Sequence, residues 1–136
     1  MPALCAAISA GEHIQIVLPA VNNLRLVAWA SRACWPRLLE RGIEIALSPP
    51  PFDHTKLMLV DDDLAVVGSA NWDERSFRLN FEVDLECRDP KLVTELDALV
   101  DRRLSGASFV TFEGLAACSV WSRLRDRLAR LGLPYL

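Results

Sequence analysis

The sequence predicts an α/β fold, a sandwich in which helices cover a mixed sheet. Between Ile14 and Leu47, apolar β-prone runs alternate with helical patterns, the order that builds strands joined by covering helices. Two further β-prone runs, joined by Asp61-Asp62-Asp63, then read as a hairpin, which adds antiparallel pairing to the sheet. Two later stretches carry apolar residues at helical spacing, so helices close the chain.

Ile14 to Leu18 is an apolar run interrupted only by Gln15 and stopped by Pro19; it predicts a buried strand. Asn22 or Asn23 can cap a helix with Leu24, Val27, Ala28 and Ser31 on one face, since a side-chain oxygen there accepts an otherwise unpaired N–H. A second short helix starts at Pro36 and ends at Gly42. Ile43 to Leu47 is the next strand, and the Ser-Pro-Pro-Pro stretch after it must be loop. Lys56 to Val60 and Leu64 to Val67 form the hairpin. In the strand Phe81 to Cys87, Phe81, Val83, Leu85 and Cys87 alternate with Glu82, Asp84 and Glu86. Pro90 opens a helix that repeats Leu92, Val93, Leu96, Leu99, Val100 and Leu104. A last helix, Val120 to Leu131, has Trp121, Leu124, Leu128 and Leu131 on one side. Arg123, Arg125, Arg127 and Arg130 lie among them, opposed only by Asp126.

The chain has 136 residues, 51% hydrophobic and 24% charged, enough for one domain with a real core. Its net charge of -3 weighs against a nucleic-acid partner, which calls for a basic excess. Cys5, Cys34, Cys87 and Cys118 are widely spaced and fit reduced, mostly buried thiols better than a zinc site or a disulfide framework. Met1 to Ala10 lacks the basic residue a secretory signal needs, and no apolar run reaches membrane-spanning length. The expectation is a cytoplasmic protein, peripheral at the inner membrane if it meets a bilayer.

The chemistry lies between His54 and Glu82. His54-Thr55-Lys56 is followed by Asp61 and then by Gly68-Ser69-Ala70-Asn71, a pattern that would arise by chance in roughly one of 10^8 windows at ordinary residue frequencies. Residues two apart in a strand share a face, which places His54 with Lys56 and Ser69 with Asn71. An imidazole, an ammonium, a hydroxyl and an amide on one face suit a phosphodiester: a nucleophile or acid, with donors for the non-bridging oxygens. Glu82 is the candidate to accept the second ring N–H and fix the tautomer. Asp61 points the other way if the strand is regular, which gives it a structural job. The aspartate triplet lacks the glycine a calcium loop requires, since Val66 stands in its place. No metal and no cofactor are expected.

The run HTKLMLVDDDLAVVGSANWDERSFRLNFEVDLE resembles the second motif of bacterial cardiolipin synthases, members of the phospholipase D superfamily. LRLVAWASR, SFRLNFE and SRLRDRLARL extend the similarity over nearly the whole chain. The resemblance implies a phospholipase-D-like domain over residues 1–136, one half of a two-motif architecture, with 107–136 a helical C-terminal extension. It implies that the family's first strand and helix, ahead of Gly11, are missing or cut short. It counts His54, Lys56 and Asp61 as the catalytic motif. Lys56 and Asn71 would bind phosphate, with Ser69 and Glu82 in support. His13 has no lysine two residues on and is read as an ordinary histidine. A second motif must then come from another copy or from a separate N-terminal half.

Three functions follow. The first is a phosphatidyltransferase working through a phosphohistidine, with phosphatidylglycerol as the anionic phospholipid partner. The second is a hydrolytic phospholipase D or nuclease acting as a homodimer, and the third is an inactive truncated half. The arginine-rich last helix reads as an ordinary amphipathic helix or as one that attracts anionic lipid, with Trp121 at the interface. Arg75 and Arg78 either pair with Asp73, Glu74 or Glu82 or approach a lipid phosphate.

Overall fold

A computed structural model describes residues 12–71 and 81–131. Strand β1 (Gln15–Pro19) leads through helices α1 (Arg25–Arg32) and α2 (Trp35–Leu39) to β2 (Glu44–Ser48). Next come β3 (Leu57–Val60), β4 (Leu64–Gly68) and β5 (Asp84–Cys87). Helix α3 (Pro90–Leu104), the short strand β6 (Ser108–Phe109), α4 (Phe112–Ala116) and α5 (Val120–Leu131) complete the order.

The α/β expectation holds, with the strands divided between two three-stranded sheets. In the first, β1 pairs with β2 in parallel, Gln15 opposite Glu44, and β6 pairs antiparallel to β2. The second is the antiparallel meander β3-β4-β5. Helix α3 packs against both β2 and β4 and so bridges the sheets, burying Val93.

The core lies beside the first sheet. Trp35, Leu38, Ile43 and Ile45 are buried, with Ile16, Leu18 and Leu47 packed against them. Pro36 occupies the first turn of α2, where its missing N–H would have no intrahelical partner anyway. The Trp35 indole N–H donates to Ser31 Oγ at 3.3 Å, so the polar edge of the buried ring is satisfied. Gly42 takes φ +81° as the chain leaves α2, a conformation open to glycine at little cost.

Several expectations need correction. Helix α1 has Leu24 at its N-cap with no side-chain bond. Asn22 Oδ1 instead accepts from Leu24 N–H at 2.8 Å, a local turn that competes with capping. Leu24 itself is exposed. The cysteines Cys34, Cys87 and Cys118 are free but half-buried rather than buried; Cys5 lies outside the described residues. The alternating strand buries no apolar face, because Phe81, Val83 and Leu85 are all exposed. Alternation marks one face as apolar without saying what covers it. The apolar side of α5 is likewise open, and the residue α5 buries is Asp126. Strand β6 and helix α4 were not foreseen; at two and five residues they are too short to show periodicity.

Candidate functional site

The site is assembled at the end of the second sheet where β3 begins, β4 ends and β5 begins. The Gly68 N–H donates to the Lys56 carbonyl at 3.2 Å, and the Ser69 N–H to the Val83 carbonyl at 3.0 Å. These bonds carry the ladder one step past each strand and bring Lys56, Ser69 and Glu82 to one edge.

His54 and Lys56 do converge. The Lys56 Nζ lies 3.0 Å from both Nδ1 and Nε2 of the His54 ring and donates to the His54 carbonyl at 3.2 Å. Whichever ring nitrogen lacks its proton accepts from the ammonium. The strand begins only at Leu57, so His54 stands in irregular backbone and is exposed. The reason is Asp53. Its Oδ1 accepts from both the Thr55 N–H at 2.8 Å and the Thr55 hydroxyl at 2.6 Å, a side-chain turn that takes the Thr55 N–H away from any ladder.

Asp53 is also held from a distance. Arg103, near the end of α3, places Nη2 2.9 Å from Asp53 Oδ2. The Thr55 hydroxyl, then the Thr55 N–H, and more weakly the Arg103 and His54 charges, keep this carboxyl below its ordinary range. The residues on either side of His54 are thus tied to one carboxylate anchored on a helix. Sequence reasoning missed this brace. An Asp-x-Thr turn around the histidine was a readable signal, whereas nothing local connects Arg103 to the site.

Ser69 is tied to the start of β5. Its hydroxyl donates to Glu82 Oε2 at 2.6 Å and accepts from the Val83 N–H at 3.0 Å. Its single hydrogen is therefore committed to Glu82, and it fixes that carboxylate at the edge of the site. Asn71 follows at the surface, after Ala70, whose N–H donates to Asp84 Oδ1 at 3.3 Å. Gly68 makes this crossing possible. A Cβ there would lie 2.5 Å from the Val83 carbonyl oxygen and collide with Asp84 Oδ1.

Asp61 is not brought to this cluster. It occupies the hairpin turn at the other end of β3, exposed and with φ +50°, a left-handed position that aspartate tolerates better than most residues. His13 is at the surface too, with Nε2 3.5 Å from Glu44 Oε1. Arg75 and Arg78, with Asp73 and Glu74, lie outside the described residues. Among the described residues, no three His, Cys, Asp or Glu side chains gather as a metal ion would require.

This arrangement can meet a phosphodiester with a nucleophilic or proton-carrying ring and a cation at one point, with Ser69 holding a carboxylate at the same end of the sheet. Comparison with known proteins identifies the family. Residues 1–104 match the family described as cardiolipin synthase, PLD-like domain. The chain is 36% identical over 129 residues to a probable cardiolipin synthase, YwiE, of Bacillus subtilis, covering 95% of this chain and 26% of that protein. It is also 36% identical over 134 residues to cardiolipin synthase A of Escherichia coli, covering 98% of this chain and 28% of the relative. It therefore spans little more than a quarter of these relatives' length. Among solved structures, the phospholipase D family member Nuc of Salmonella typhimurium superposes with a TM-score of 0.61 at 22% identity, over 80% of this chain and 71% of that one. NucT of Helicobacter pylori gives 0.52 at 17% identity, over 80% and 89%. These two likenesses are of fold.

Proposed function

The chain belongs to the PLD-like domain family of cardiolipin synthases, and from that premise we propose that it is one catalytic half of a phosphatidyltransferase. The observation that carries this reading is the meeting of the His54 ring and the Lys56 ammonium at 3.0 Å. Lys56 neutralises a lipid phosphate and disperses the charge that grows as phosphorus becomes five-coordinate. Asn71 adds a neutral donor. Once a bound phosphate draws the Lys56 ammonium off the ring, Glu82, held by Ser69, is the carboxylate to accept the second ring N–H of His54 and fix its tautomer.

The reaction needs a second histidine on the far side of phosphorus, from another copy or from a separate N-terminal half. One imidazole attacks the phosphorus of phosphatidylglycerol, forming the N–P bond as the P–O bond to glycerol breaks. The other delivers a proton to the departing alkoxide. It then removes a proton from a glycerol hydroxyl of a second phosphatidylglycerol, whose oxygen displaces the histidine. Two phosphatidylglycerols thereby yield cardiolipin and glycerol. The open apolar side at the start of β5, where Val83 just before the strand and Leu85 within it are exposed, supports a covering second half. The substrate places the protein peripherally at the inner membrane; among the described residues no helix is long and apolar enough to cross one.

The deciding experiment incubates phosphatidylglycerol vesicles with the protein, alone and with a candidate N-terminal half, and separates the lipids. Cardiolipin supports the transferase. Phosphatidic acid would assign the chain to hydrolysis instead, and an absence of product from every assembly would make it an inactive half.

A further inference from the structure

We propose that helix α5 is a membrane-docking surface for an anionic bilayer, distinct from the site that handles the phosphodiester. The proposal deepens the peripheral contact suggested above by naming the surface that makes it.

At about 100° per residue, α5 divides into three faces. Ser122, Arg125, Asp126 and Ala129 form the face turned to α1. There Asp126 is 5% exposed and receives the Arg125 guanidinium at 2.8 Å, and that guanidinium lies 4.4 Å from the centre of the Trp29 ring. The helix is thus anchored to the domain through its polar side. The opposite face consists of Val120, Trp121, Leu124, Leu128 and Leu131. All five are exposed, Trp121 at 80% and Leu131 at 74%. The third face carries Arg123, Arg127 and Arg130, none of them in an ion pair among the described residues.

An apolar strip that includes a tryptophan and is bordered by uncompensated arginines matches the interface of an anionic bilayer. The apolar residues enter the acyl boundary while the arginines stay with the headgroups. The charge pattern favours this occupant over a second protein half. The other open apolar strip, on β5, alternates with Glu82, Asp84 and Glu86, and it lies next to the site. The strip on α5 carries cations, although the chain as a whole has a net charge of -3.

The test is co-sedimentation with vesicles of phosphatidylcholine alone or with phosphatidylserine added, an anionic lipid that is not the proposed substrate. The wild-type chain should bind the anionic vesicles, weakly or not at all the neutral ones, and release in high salt. Replacing Arg123, Arg127 and Arg130 by Gln should weaken binding roughly fivefold per arginine. Leu124→Glu with Leu128→Glu should weaken it by about tenfold or more, with the circular dichroism spectrum unchanged. His54→Ala should bind as the wild type does, which separates docking from catalysis: a failed transferase assay leaves this result standing. Equal binding by wild type and the folded Leu124→Glu/Leu128→Glu variant would overturn the proposal, as would no binding at all. A fall in the solution mass of that variant with vesicle binding intact would assign the face to a second copy instead.

Discussion

The Arg103 guanidinium stands 2.9 Å from the Asp53 carboxylate, and through it the end of α3 holds the turn that presents His54. A half-buried, solvent-screened ion pair of this kind adds about 1 kcal/mol to stability. Its weight falls on geometry, because Asp53 binds Thr55 on the far side of the histidine.

Arg103→Met should therefore separate stability from turnover. We expect a stability change within about 1 kcal/mol, measured by urea denaturation, and a turnover loss of roughly ten- to hundredfold from a displaced ring. Arg103→Lys should recover part of the rate. Combining Arg103→Met with Asp53→Asn should cost little more than either alone, since both remove one brace.

The depressed Asp53 carboxyl also fixes a pH dependence. A group whose folded pKa lies below its unfolded value of about 3.8 stabilises the fold above that value and stops doing so as pH falls through the folded pKa. The stability gap between wild type and Asp53→Asn should be full at neutral pH and close under acid conditions below the ordinary carboxylate range. Denaturation curves at a neutral and a strongly acid pH test this, and a gap of constant size would contradict it.

In any active assembly, His54→Ala should lower turnover on the order of 10^3-fold. Lys56→Met should cost about 10^2-fold, with folding unaffected because both side chains are at the surface end of the sheet. Single-turnover lipid assays on the purified variants measure both. Full activity in His54→Ala would remove this residue from the catalytic group.

Gly68→Ala should be severe for a structural reason. The added methyl meets the Val83 carbonyl and the Asp84 carboxylate, so β4 and β5 must part or shift, at a cost of about 2 kcal/mol or more. Thermal denaturation should show the loss, and Ser69 and Glu82 should lose their register with it.

Asp61 offers the contrast. Its left-handed backbone predicts that Asp61→Asn stays close to wild type, while Asp61→Val loses about 1–2 kcal/mol. Turnover per folded molecule should be the same in both. A turnover loss in Asp61→Asn without unfolding would return this residue to the catalytic group.

The sequence carried the element order well where periodicity was long. The helix from Pro90 and the helix from Val120 to Leu131 begin and end as their patterns predict. Sequence reading failed where burial had to be inferred from pattern alone. Trp121, Leu124, Leu128 and Leu131 share a side as expected, yet that side is open, because amphipathicity gives a direction and not an occupant. The site was half legible. His54 and Lys56 were visible because the motif is local. Arg103 was not, because its contact depends on α3 crossing both sheets. Ser69 was found, but its bond to Glu82 was not foreseen, since which oxygen its hydrogen serves is settled only in three dimensions.

Helix α3 touches β2 in one sheet and β4 in the other, and its final turn carries the residue that grips Asp53. It acts as a splint between the hydrophobic interior around Trp35 and the reactive edge. Loss of packing at Val93, the buried residue of this helix, should tilt the splint and loosen the imidazole without touching any group that meets phosphate.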